Sequence, residues 1–248
     1  MEEWDTHNLE EVTSLKFLGC FLDNNLNFKP QINHIVAKLR SGISALKLSR
    51  NLLSYRCKKM IYYSLFHSHL NYCAILWHDK LNKTQTALFT RLQKKAIRLV
   101  FSARWNVHTA KLFSLSRIIP VERMFHNESI LFIKKHQNNE LPEIFTDFLG
   151  PSELYLQKDK PITQHRKQKT EYKIEMPKVY KKGHIFHNII SEWNNADEAT
   201  RAPSKVTATK CRLKKLSREK LDQFTCKKSK CYMCNLDRFR DYEKYTKY

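Results

Sequence analysis

Hydrophobic positions change period early in the chain. Lys16 to Asp23 reads KFLGCFLD, a short apolar run bounded by the Asn24-Asn25 turn signal, and this predicts a strand. Pro30 then opens a series at Ile32, Ile35, Val36, Leu39, Ile43 and Leu46, steps of three and four that put these side chains on one helical stripe, with Lys38 and Arg40 off it. That helix is expected to end near Arg50. Ser54 is placed to cap a second helix through Met60, Ile61 and Leu65, and Tyr72 to Trp77 carries the apolar material to a polar break at His78 to Lys83. A third helix is predicted from about Thr84, with Leu88, Leu92, Ala96 and Leu99 as its apolar face.

Farther on, Pro120 begins a helix containing Met124, Phe125, Ile130 and Ile133, and Pro142 a short one through Phe145 and Phe148. Between Gly150 and Pro177 the apolar pattern thins and prolines punctuate it, while Lys158 to Lys182 holds nine basic residues against three acids. Ile185, Phe186, Ile189, Ile190 and Trp193 return to helical spacing, and Ser204 to Phe224 has a basic helical pattern with Leu213, Leu216 and Leu221. The expected fold class is mainly α, with a short N-terminal strand or hairpin and a basic, partly disordered C-terminal tail. Its expected parts are an acidic leader (1–13), a strand plus helical domain (14–149), a basic linker or irregular loop (150–182), C-terminal helices (183–224) and a cysteine-containing basic tail (225–248).

Charge adds what the pattern cannot. The 248 residues carry 45 Lys and Arg against 24 Asp and Glu, a formal net charge of +21. Seventeen of the basic residues lie between Lys29 and Arg117, whereas Asp79 is the one acid between Asp23 and Glu122. Ordinary soluble helices intersperse both signs, so a stretch this poor in carboxylates builds a positive potential that attracts polyanions and releases their counterions on contact. Nucleic acid is the expected partner, with a solvated basic face or an anionic membrane surface as the alternatives. On the third helix Arg91, Lys94, Lys95 and Arg98 fall at i, i+3, i+4 and i+7, one line about two turns long that can follow successive phosphates. Together with Lys38 and Arg40 they are the expected phosphate contacts; Tyr62 and Tyr63 are stacking candidates, or else core residues.

Composition excludes more than it suggests. Four glycines leave no G-x-G-x-x-G and no P-loop, and no G-x-S-x-G is present. No apolar run approaches the roughly 18 residues of a spanning helix, and mean hydropathy is −0.59, so no membrane partner is expected. The first fifteen residues are acidic with no Lys or Arg, the reverse of a secretory or mitochondrial leader. Seven cysteines, an odd count, argue against a closed disulfide framework, and an intracellular location, nucleus or cytoplasm, with reduced thiols is expected. Cys226, Cys231 and Cys234 form C-x4-C-x2-C, whose last pair has zinc-knuckle spacing. A fourth ligand would have to be Cys211, His184 or His187, so zinc is a weak expectation and no other cofactor is expected. No Asp-Asp pair exists to hold two metal ions, which leaves no expected catalytic residue.

The order of these blocks resembles the region downstream of the catalytic palm in reverse transcriptases of non-LTR (LINE-type, jockey-like) retrotransposons. Phe17-Leu18-Gly19, Asp23, Leu26, Phe28, Pro30 and Ile32 resemble the family's aromatic-Leu-Gly block, where a palm-edge segment leads into the thumb. Leu70-Asn71-Tyr72 with Trp77 resembles the next block, and Leu88 with Leu92 to Arg98 resembles the thumb helix. Trp193-Asn194 resembles a C-terminal Trp-Asn motif. The chain departs from the pattern at Phe28, where Trp is usual, at Gln31, where His is usual, and at Asn195 to Asp197, where Leu-Pro would follow. Fingers, most of the palm and the Tyr/Phe-X-Asp-Asp motif are missing. The resemblance implies a helical thumb-like domain that binds template-primer and does not polymerise DNA by itself. Three rival expectations stand beside it: a captured fragment that binds a protein where the palm once covered it, a zinc-dependent binding module centred on the C-terminal cysteines, and a decayed reading frame without function.

Overall fold

The predicted strand is a hairpin. In the computed structural model, which describes residues 12–150, 172–174, 176–181, 184–202 and 204–222, β1 (Ser14–Phe17) pairs antiparallel with β2 (Cys20–Asp23). The connecting Leu18 and Gly19 both have positive φ, 46° and 82°, as a tight two-residue hairpin turn demands. Gly19 has a second reason: a Cβ there would lie 3.3 Å from the Tyr72 hydroxyl, which donates to the Leu18 carbonyl. After β2 the Asp23 carboxylate accepts from the N–H groups of Asn27 (3.1 Å) and Phe28 (2.6 Å), holding the turn that launches α1 (Lys29–Leu48). Gln31, buried at the start of α1, accepts from the Phe21 N–H at 3.0 Å and so fastens the hairpin to the helix.

The rest is helical: α2 (Tyr55–Tyr62), α3 (Ser68–Asn71), α4 (Ala74–Trp77), α5 (Lys83–Val100), α6 (Thr109–Ser116), α7 (Val121–Gln137), α8 (Ile144–Leu149), α9 (Ile185–Asn194), α10 (Glu198–Arg201) and α11 (Val206–Asp222). Ser54 caps α2 as its sequence implies, accepting from the Cys57 N–H. Asn82 and Gln85 form a reciprocal capping box on α5, which starts at Lys83, one residue before the expected Thr84. The segment from Tyr63 to Trp77 is broken. A π-helical turn spans Tyr63–His67, and Cys73, at φ 50°, separates α3 from α4. Trp77 closes the break by donating from its indole nitrogen to the Tyr72 carbonyl at 3.0 Å while its ring meets Phe89 and Phe125.

Two apolar clusters form the interior, and α7 belongs to both. Val121, Met124 and Phe125 join the cluster that α1, α2, α4, α5 and α6 also supply, where α7 meets α4 and α5, whereas Ile130, Leu131 and Ile133 join the cluster of Leu149, Ile189, Ile190, Trp193 and Leu213. The apolar packing divides within α7. Helices α6 and α10 had not been anticipated. The acidic leader, most of the basic loop between 150 and 182 and the tail from 225 fall mainly outside the described residues.

Candidate nucleic-acid interface

Helix α5 faces two ways. Phe89, Gln93, Ala96, Ile97, Leu99 and Val100 are buried; of the expected face Ala96 and Leu99 lie in the core, while Leu88 and Leu92 are half-buried at its flank and Phe89, Gln93, Ile97 and Val100 widen it on the other side. Gln93 sits in the middle of the core with all its hydrogen bonds made. Its amide nitrogen donates to the Tyr62 hydroxyl and the Ile119 carbonyl, both at 2.9 Å, and its carbonyl oxygen accepts from the Val121 N–H at 2.9 Å. One side chain thus joins α2, α5 and the entry to α7.

On the opposite face Arg91, Lys94 and Lys95 are exposed, and α5 contains no acidic residue. Arg98 continues their line but does a different job. It is half-buried, its Nε donates to the Val107 carbonyl at 2.8 Å, and burial lowers its pKa. The expected line of four free cations is therefore a line of three, closed at its end by the loop from Phe101 to His108. Arg50 and Lys58 are structural cations of the same kind. Arg50 donates to the Ser102 and Ala103 carbonyls, and Lys58 to the Arg50 carbonyl and, at 2.6 Å, to Ser102 Oγ. Burial lowers the Lys58 pKa, with Arg50 adding to the effect.

The loop that these three cations clamp carries Trp105, 87% exposed and flanked by exposed Arg104. Sequence reasoning missed Trp105 because an isolated aromatic between helices has no period; its signal is its place in a clamped basic loop.

On α1, Lys38 and Arg40 are both exposed, but two residues apart on a helix they point about 160° from one another and do not share a surface. Lys38 stands near His34 and His69, whose pKa values are lowered first by burial and then by Lys38. Tyr62 is fully buried beneath Phe66 (5.2 Å), so it is a core residue and not a stacking platform. Burial pushes its hydroxyl far above the usual tyrosine range. Tyr63 is 40% exposed and remains accessible.

The Trp-Asn pair is also structural. Trp193 donates from its indole nitrogen to the Tyr172 carbonyl at 2.8 Å, and Asn194 exchanges two 2.9 Å hydrogen bonds with the backbone of Ile174, tying that segment to α9. Between α7, α9 and α11 lies a cleft of about 830 Å³ whose lining includes Glu122, Arg123, His126, Glu192, Asp197 and Arg212. Four of its charged groups are paired. His126 Nδ1 hydrogen-bonds Glu192 and holds that carboxylate below its ordinary range; Arg212 pairs with Asp197 at 2.6 Å. Among the described residues no three His, Cys, Asp or Glu side chains are grouped to hold a metal. Cys226, Cys231 and Cys234 lie outside the described residues. Among those described, no helix is long and apolar enough to cross a membrane.

No known protein family, no characterised protein and no solved structure matches this chain.

Proposed function

We propose that this chain binds nucleic acid through the outward face of α5, as a non-catalytic part of a retrotransposon-type reverse transcriptase. The observation that carries the reading is the row of Arg91, Lys94 and Lys95, exposed on a helix without acids in a stretch whose one carboxylate, Asp79, is held by His78 at 2.8 Å. Such a row can track a phosphate backbone with little sequence preference, which suits an A-form RNA-DNA hybrid held by shape. Trp105 adds a ring on which an unpaired base can stack. Chemistry on the bound strands is not part of the proposal, because the chain has no Asp-Asp pair for paired metal ions.

Fluorescence anisotropy of the purified chain with a labelled RNA-DNA hybrid, repeated across salt concentrations, tests it. Saturable binding is expected, with log affinity falling linearly in log salt. Replacing Arg91, Lys94 and Lys95 together by Gln should reduce that slope by roughly 2–3, about 0.9 for each lost phosphate contact. Unchanged affinity and slope would sink the assignment.

A second reading, a protein-interaction module, is supported by the hairpin. β1 is exposed throughout, and Val12, Leu15, Phe17 and Leu18 are 50–78% exposed along it. Stoichiometric recovery of a protein partner from nuclease-treated extract, lost when Leu15 and Phe17 are replaced by Ser, would favour that reading over the first.

A further inference from the structure

Two loops meet where α1 runs out, α2 begins and α5 ends. The Arg50 carbonyl accepts from Ser102 Oγ at 2.8 Å and from the Lys58 ammonium at 3.2 Å, while the Arg50 guanidinium donates to the Ser102 and Ala103 carbonyls at 3.1 and 3.2 Å. Tyr55 and Phe101, both buried, pack their rings 4.9 Å apart across the same seam. The loops so joined carry apolar side chains out into solvent: Leu48 is 79% exposed, Leu52 82%, Leu53 41% and Trp105 87%. Leu48 and Leu52 are two residues from Arg50 and Trp105 is three from Ser102, so chain length alone keeps each within about 11 Å of the seam.

Exposed cations accompany them. Lys47, Arg56 and Arg104 lie in or beside the two loops, and neither loop nor α1, α2 or α5 contains an acid. Large apolar side chains gathered at one exposed place mark a surface that something else covers, and the cations require that cover to be anionic. A second copy of this chain fails the charge condition, because it would bring the same cations face to face in a protein of net charge +21. Nucleic acid meets the cations and the indole but has no hydrocarbon for three leucines. Exposures of 79–87% describe side chains that stand out from the surface, where a bound peptide would have no groove to lie in. The face of an anionic bilayer meets every condition: hydrocarbon for leucine, the interfacial zone for tryptophan and headgroup charge for Lys and Arg. With both loop backbones already clamped, little freedom is lost on contact.

We propose that these two loops form a docking surface for an anionic phospholipid bilayer, into which Leu48, Leu52, Leu53 and Trp105 insert while Lys47, Arg56 and Arg104 meet the headgroups. Such docking engages one face of the bilayer and needs no spanning helix. It does not depend on nucleic-acid binding at the outward face of α5. The two surfaces share Trp105, and the leucines belong to this one alone.

Sedimentation of the full chain with vesicles of phosphatidylserine and phosphatidylcholine at physiological salt, beside phosphatidylcholine alone, tests the surface. Saturable binding to the anionic vesicles is expected, weakened on the order of tenfold in Leu52→Gln and about fivefold in each of Arg56→Gln and Arg104→Gln. Replacing Arg91, Lys94 and Lys95 should leave it unchanged. Leu52, Arg56 and Arg104 are exposed, so these variants retain the fold. Charge alone draws so basic a chain to anionic lipid, and insertion is therefore read separately. Phosphatidylcholine spin-labelled on its acyl chain should quench indole fluorescence, and Trp105→Phe should remove that quenched component. Absent binding, equal binding by wild type and Leu52→Gln, or equal quenching in Trp105→Phe would overturn the proposal. So would recovery of a protein partner through Leu52 and Trp105 without vesicle binding. Leu52→Gln should bind the RNA-DNA hybrid as the wild type does; vesicle binding with no hybrid binding leaves this surface standing and removes the α5 assignment.

Discussion

Single residues in this chain hold together what periodicity alone leaves loose. Gln93 is the clearest case, since a polar residue in the fully buried row of α5 interrupts an apolar pattern for the sake of three hydrogen bonds. Gln93→Leu keeps the volume and strands the Tyr62 hydroxyl, the Ile119 carbonyl and the Val121 N–H. Urea unfolding should register a loss of roughly 2–4 kcal/mol, and a loss below about 1 kcal/mol would mean the contacts are not made. Gly42 makes the complementary point. A Cβ there would lie 2.8 Å from the Leu65 carbonyl, where the π-helical turn presses against α1. Gly42→Ala should therefore destabilise by about 1–3 kcal/mol, although alanine is the better helix former, and a stabilised variant would refute the close approach. Neither role is legible in sequence, because both depend on which segment comes to lie opposite.

Elements were easier to foresee than their faces. The stripe from Ile32 to Leu46, the Ser54 cap and the proline before α7 each specify local structure through short-range physics, and α1, α2, α5, α7, α9 and α11 appear near their expected places. The broken region from Tyr63 to Cys73 was not foreseen: its hydrophobic residues fit a continuous helix, whereas in the structure the π turn lies against Gly42 and Tyr72, beside the left-handed Cys73, reaches the hairpin turn. Basic residues posed the harder problem. A sequence shows where a cation is but not whether its charge reaches solvent, so Arg98 looked equivalent to Arg91. Within α7, Lys134 shows how far that can go. It is fully buried, its ammonium donates to Gln137 Oε1 (2.7 Å) and to the carbonyls of Ala202 (2.8 Å) and Arg201 (3.2 Å), and it lies 5.1 Å from the centre of the Trp193 ring. Burial pushes its pKa down to about 8 from 10.5. The unfolded chain then binds more protons between these values, so this group makes folding more favourable as pH rises from about 8 to about 10.5. Urea midpoints at about pH 7.5 and about pH 9.5 should reveal a contribution on the order of 1–3 kcal/mol that Lys134→Met lacks. Identical pH slopes in the two proteins would contradict it.

At the scale of the whole molecule, the net charge of +21 divides into working populations. Arg50, Lys58, Arg98 and Lys134 bind the protein's own carbonyls, whereas Arg91, Lys94 and Lys95 are exposed along one helix. Total charge and helical class were readable from the sequence; this division was not, because it arises where separate segments meet. The passage of α7 through both apolar clusters bears on the motions open to the chain. Amide hydrogen exchange should find the central α7 amides among the slowest, since neither cluster can loosen without uncovering part of that helix. Protection ending abruptly at Phe125 would instead reveal two halves that open separately. Slow exchange along the whole of α7 would mean that the wall behind the α5 face and the packing of α9 and α11 loosen as one body.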